Sequence, residues 1–131
     1  VMSNAKIGTF DDLLELAEEA VQPIVRALRE TVFQVDSSAC EVVRLGDRAA
    51  TYGVGPRKMI DGYVYILPYR NWVNLGFYQG TEIDDPEGLL EGTGAKLRHV
   101  KIRSIEEATR PSIVALVERA LEHRIATNAA K

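Results

Sequence analysis

Apolar residues recur along the first part of the chain at helical spacing. Phe10, Leu13, Leu14, Ala17 and Val21 fall at i, i+3, i+4, i+7 and i+11, while Asp11, Asp12, Glu15, Glu18 and Glu19 take the other side. This spacing predicts an amphipathic helix, acidic outside, with Thr9 as its N-cap. Pro23 lacks an N–H and clashes with a preceding helical turn, so it either kinks a continuous helix or starts a second one, and the favoured reading is a second helix over residues 23–34. Ile24, Val25, Leu28, Val32 and Phe33 are its apolar residues, and the Asp36-Ser37-Ser38 turn ends it.

Beyond that turn the period shortens. Residues 49–54, 59–67 and 72–77 are rich in β-branched and aromatic side chains and are separated by Gly, Pro and Asn, which predicts antiparallel strands. In the middle one Tyr63, Tyr65 and Leu67 should point one way and Val64 and Ile66 the other. In the next, Val73, Leu75 and Phe77 form the core side, opposite Trp72, Asn74 and Gly76. Residues 80–94 carry five Gly or Pro and five acids, which is loop chemistry. Residues 98–103 alternate Arg98, Val100 and Ile102 with His99, Lys101 and Arg103, as in a fourth strand with a charged face.

Ser104-Ile105-Glu106-Glu107 has the spacing of a capping box. Pro111 lies too far along for that first turn, so a break is expected near Thr109, followed by a last helix with Pro111 as its first residue. Ile113, Leu116, Val117, Ala120, Leu121 and Ile125 are its predicted buried stripe.

The 131 residues suffice for one core, burying roughly two thirds of the unfolded surface. We therefore expect a single domain over residues 1–131, with flexible ends at 1–8 and 127–131. The net charge of −3 gives no general attraction to a phosphate backbone, so nucleic acid is not the expected partner. Cys40 is the only cysteine, which excludes an intrachain disulfide and a cysteine-based zinc site within one chain. No apolar run approaches the ~18 residues of a membrane span, and no leader pattern is visible at the start. A cytoplasmic protein without a membrane partner is the expectation.

Four blocks carry a family likeness: Tyr52-Gly53-Val54-Gly55-Pro56-Arg57-Lys58-Met59, Val73-Asn74-Leu75-Gly76-Phe77-Tyr78-Gln79-Gly80, Asp85-Pro86-Glu87-Gly88-Leu89-Leu90-Glu91-Gly92-Thr93-Gly94, and Arg98-His99-Val100-Lys101. In this order the chain resembles the YdhG-like family of bacterial domains. The resemblance implies an α+β fold: a two-layer sandwich in which N- and C-terminal helices cover one face of an antiparallel sheet of four or more strands, as in frataxin. It also implies that an iron-handling role, known for a frataxin-like bacillary relative, is one function to test. Relatives often place a histidine just ahead of the Leu-Gly-Phe strand, where this chain has Tyr69-Arg70-Asn71-Trp72, so a role needing imidazole there does not carry over.

Two candidate surfaces follow. Asp11, Asp12, Glu15 and Glu19 would bring hard oxygen ligands together on one helix face, suited to weakly bound Fe. An acid-rich outer face is equally what a solvated helix presents, and acids near a helix start are favoured by its dipole. The second surface is a sheet side with Tyr52, Lys58, Tyr63, Tyr65, Trp72, Arg98 and His99, where cations beside aromatic walls suit a small anionic or planar ligand, or a protein partner. Against it stands the ordinary use of charge to guard a sheet edge.

The acids Glu82, Asp84, Asp85, Glu87 and Glu91 do not have calcium-loop spacing, and Gly92-Thr93-Gly94-Ala95-Lys96 lacks the context of a phosphate loop. With only His99 and His123 as imidazoles, and no serine or cysteine beside an evident base, the inventory favours a binding protein over an enzyme.

Overall fold

The computed structural model describes residues 6–131. Its strands are β1 (Ile7–Gly8), β2 (Cys40–Arg44), β3 (Ala49–Gly53), β4 (Gly62–Pro68), β5 (Val73–Phe77) and β6 (Arg98–Ile102), and its helices are α1 (Phe10–Leu16), α2 (Gln22–Val35), α3 (Lys58–Asp61), α4 (Ile105–Thr109) and α5 (Pro111–Ala129). The strands form one six-stranded antiparallel sheet in the order β1-β2-β3-β4-β5-β6. The α+β, two-layer arrangement is therefore as expected, with two strands more than the sequence pattern indicated. β1 and β2 escape that pattern because β1 has only two residues and β2, Cys-Glu-Val-Val-Arg, does not alternate cleanly.

Register explains the core. Across the sheet, Val43, Ala50, Ile66, Leu75 and Val100 stand opposite one another in a continuous row. All five are buried beneath the helices. A parallel row runs Tyr52, Val64, Phe77. Burying side chains of this size contributes about 1.5–3 kcal/mol each, so these rows and the helix stripes above them dominate the stability of the fold. The stripe of α2 is as read: Ile24, Val25, Leu28 and Val32 are buried, Phe33 packs at the margin, and the Thr31 hydroxyl donates to the Ala108 carbonyl at 2.9 Å. That bond ties α2 to α4.

Several local expectations change. α1 stops at Leu16, and Glu19–Val21 forms a separate 3₁₀ turn, so Val21 reaches the core from a different element. Residues 59–61 belong to α3 and not to a strand. Ser104 caps α4 by accepting from Glu107 N–H, but the Glu107 carboxylate accepts from Arg103 N–H rather than closing the box. Pro111 does open α5, yet the stripe departs from apolar periodicity at its end: Ile125 is exposed, and Arg124 takes the buried place. Residues 7–8 pair with β2, and α5 runs on to Ala129; residues 1–5 of the expected flexible start lie outside the described residues.

The loop after β5 returns along the outer edge of β6. There Glu91 and His99 exchange backbone hydrogen bonds, Glu91 N–H to His99 C=O at 2.8 Å and His99 N–H to Glu91 C=O at 2.9 Å. No helix among the described residues is long and apolar enough to cross a membrane.

Candidate functional site

The helices cover one side of the sheet. The other side carries the row Val42, Thr51, Tyr65, Gly76, His99 and, one step along, Leu67, Asn74, Lys101. Although no helix layer lies on it, its centre is not wet: Thr51 and Asn74 are buried, and so is Tyr78, which follows Phe77 and by strand alternation turns to this side. Tyr65 and Tyr78 make the cover themselves. Their rings pack at 5.2 Å between centroids, and the Tyr65 ring extends over Gly76, where any Cβ would overlap it. Gly62 is required too, since a Cβ there would meet the Lys58 carbonyl oxygen at 2.5 Å and the Tyr78 ring at 2.9 Å.

Between these rings and the β2–β3 turn lies a cavity of about 170 Å³, lined by Asp47, Ala49, Thr51, Lys58, Tyr65, Leu67, Tyr78 and Leu97. Its wall is mainly apolar. Its polar groups are few and grouped: the Thr51 and Tyr78 hydroxyls bond to each other at 2.9 Å, and Lys58 Nζ meets Asp47 Oδ2 at 2.9 Å. Burial raises the Tyr78 hydroxyl above its ordinary pKa, opposed by its bond to Thr51 and by the nearby Lys58 and Arg44 charges. Arg44 stands on the same side of the sheet. Its Nη2 donates to the Pro56 carbonyl at 3.1 Å, while its buried Nη1 has no partner among the described residues.

At the β4–β5 turn the same side ends in an aromatic and cationic patch. Tyr69 stacks on Trp72 at 5.0 Å, Trp72 Nε1 donates to Asn74 Oδ1 at 2.9 Å, and Lys101 Nζ lies 5.3 Å from the Trp72 ring. Arg103 approaches the same ring at 6.0 Å.

Of the seven residues expected on one binding side, Lys58, Tyr65, Trp72 and His99 share the open side. Tyr52, Tyr63 and Arg98 do not. Tyr52 is in the helix-facing row; its ring meets Phe33 edge-on and its hydroxyl donates to Glu41 Oε2 at 2.7 Å, beside the two bonds Arg29 gives the same carboxylate. Burial, then Glu41, pushes the Tyr52 hydroxyl far up, with Arg29 opposing.

Tyr63 is turned by a bulge. The register passes from Tyr52 opposite Val64 to Gly53 opposite Gly62, leaving Tyr63 as the extra residue. It joins Val64 in the core and donates to Asp36 Oδ2 at 2.7 Å, at the end of α2; burial and Asp36 raise its hydroxyl as well. Arg98 folds back onto its own loop, donating to Gly94 O at 2.5 Å and Leu97 O at 2.7 Å.

The cavity residues Thr51, Tyr78, Asp47, Ala49, Leu67 and Leu97 were not singled out by sequence. Leu67 carried a readable signal through its alternation with Tyr65, and Tyr78 through its alternation with Phe77.

The acidic face of α1 does not assemble into a ligand set. Asp12 is committed to the cap, accepting from Thr9 N–H at 2.8 Å while its own N–H donates to Thr9 Oγ1 at 3.1 Å. Because α1 ends at Leu16, Glu19 is not on one helical face with Asp11 and Glu15. Among the described residues no group of three or more His, Cys, Asp or Glu could hold a metal ion.

Compared with protein-family models, curated proteins and solved structures, the chain matches none.

Proposed function

We propose that this chain is a non-enzymatic binding module whose open sheet face takes a small planar ligand bearing one anionic group. The observation that carries this reading is the cavity beside Tyr65: an apolar slot between Leu67 and Leu97 whose polar atoms, the Thr51–Tyr78 hydroxyl pair and Lys58 Nζ, are grouped rather than scattered. Apolar walls with a few convergent polar groups are what orients a small ligand. The unpartnered Nη1 of Arg44 adds a second cationic donor on that side. A ring would lie between Tyr65 and Leu97, and its carboxylate would compete with Asp47 for Lys58.

We also read the chain as a YdhG-like domain, on the strength of its four sequence blocks and the two-layer sandwich that this likeness implies. Iron handling is not part of the reading, because the α1 carboxylates are dispersed or spent on capping.

Benzoate tests the proposal. In a titration of ¹⁵N-labelled protein, the backbone signals of Thr51, Lys58, Tyr65, Tyr78 and Leu97 should shift together and saturate. Lys58→Ala should weaken binding about tenfold, the loss of one charge-assisted bond of ~1.4 kcal/mol. Shifts that are scattered or never saturate, or an affinity unchanged in Lys58→Ala, would overturn it.

A further inference from the structure

Arg124 is an anomaly in α5. It stands one turn beyond Ala120 in the buried stripe, where an apolar residue is expected, and it is only 4% exposed. Its Nε and Nη2 donate to the Gly62 carbonyl at 3.0 and 2.8 Å, and Nη2 reaches Met59 O at 3.4 Å. These bonds fasten α5 to the start of β4. They do not neutralise the charge, and no carboxylate forms an ion pair with Arg124 among the described residues. A guanidinium taken out of water without a directly bonded counter-charge is costly, and here burial lowers its pKa, opposed by the more distant charges of Asp61 and Glu82.

Arg124 lines a cavity of about 320 Å³ between α5 and the end of β5. Helix anchoring explains Nε and Nη2 but leaves Nη1 without a protein partner among the described residues. It also leaves unexplained Gln79 on the same wall, whose Oε1 is buried with no donor. Lys96 and Lys131 also line the space. The one carboxylate there, Glu82, is already engaged by His123 Nε2 at 2.9 Å and by Lys96 Nζ at 3.5 Å. The lining therefore holds the cationic side chains of Arg124 and Lys96 beside the already engaged Glu82, together with an acceptor that wants a proton.

We infer that this cavity is a binding site for a small oxyanion that carries a proton of its own, of the hydrogen phosphate or hydroxy-carboxylate kind. The oxyanion accepts from Arg124 Nη1 and Lys96 Nζ, and its O–H donates to Gln79 Oε1. Such a ligand supplies a direct ion-pair partner for the guanidinium and the missing donor for Gln79 at once, and a guanidinium with a free N–H pair is the side chain best suited to oxyanions. The site is separate from the slot proposed for the planar ligand, with Tyr78 and Leu97 as the wall between them.

The test is a titration of the full chain with sodium phosphate, and separately with glycolate, at ionic strength held constant with sodium chloride. Saturable shifts are expected in the Gln79 side-chain amide, the Arg124 Nε–H and the Thr127 backbone. Lys96→Ala and Gln79→Met, neither of which removes a core side chain, should each weaken binding about five- to tenfold, whereas Arg26→Ala, an exposed cation of α2, should not. A response to phosphate alone assigns the site to phosphate, and a response to glycolate alone to carboxylates. The inference is overturned if neither anion gives saturable shifts, if sodium chloride alone reproduces them, or if Lys96→Ala and Gln79→Met both bind as the parent does. Benzoate binding at Tyr65 is read from other signals, so either site can fail without the other.

Discussion

The ring of Tyr65 lies across Gly76 on the neighbouring strand, occupying the place where any other residue would put its Cβ. The pair closes the centre of the open sheet side without a helix. A glycine within a strand weakens it, and an aromatic ring laid over the glycine restores the lost packing. Gly76→Ala should therefore force Tyr65 off the sheet and cost about 1–3 kcal/mol, the range for overpacking a filled site. Urea unfolding would read this as a lower midpoint at unchanged slope. Benzoate binding should weaken in the same variant, because Tyr65 is a wall of the slot; an unchanged midpoint would mean the ring does not rest on Gly76.

Tyr63 and Tyr65 are two residues apart and would share a face in a regular strand, yet the bulge sends them to opposite layers. Truncating Tyr63 opens a hole in the core and removes a donor from Asp36, so Tyr63→Ala should cost about 3–5 kcal/mol. Tyr65→Ala removes a half-buried ring and should cost clearly less. Chemical denaturation of both variants decides the point, and equal losses would contradict the bulge.

Alkaline titration gives a third check. Tyr52, Tyr63, Tyr65 and Tyr78 all hold their protons more tightly when folded, chiefly through burial. A raised folded pKa contributes stability that is fully present below the unfolded value of about 10 and is lost as pH rises towards the folded one. The protein should thus lose stability above about pH 10, with most phenolate absorbance appearing together with unfolding. Smooth ionisation of all five tyrosines near pH 10, with the fold intact by circular dichroism, would count against the buried hydroxyls.

Much of the helix layer was readable in the sequence because periodicity and capping are local. Thr9 and Ser104 mark a boundary through a side-chain hydroxyl that caps the first turn, Pro23 and Pro111 through a ring that lacks an N–H, and α2 and α5 start within a residue or two of where these signals put them. The strand faces were readable wherever alternation was unbroken, as in Val73, Leu75 and Phe77. What could not be read depended on partners distant in sequence. The bulge at Tyr63 exists only in the pairing of β3 with β4, and the burial of Arg124 answers to the Gly62 carbonyl, 62 residues away. The open-side slot is likewise assembled from the β2–β3 turn, α3, β4 and the end of the 83–97 loop, so no local motif announces it.

The two-way backbone exchange between Glu91 and His99 bears on what the molecule does in company. An outermost strand offers its free N–H and C=O groups to any passing extended chain, which is how intermolecular strand addition and fibril growth begin. Here the molecule spends its own loop on the central position of β6, and the next outward-facing position carries Lys101, whose charge opposes a stacking partner. The loop that looks like mere connection thus serves as a terminator at the β6 edge, where it takes the place a neighbouring molecule's strand would fill.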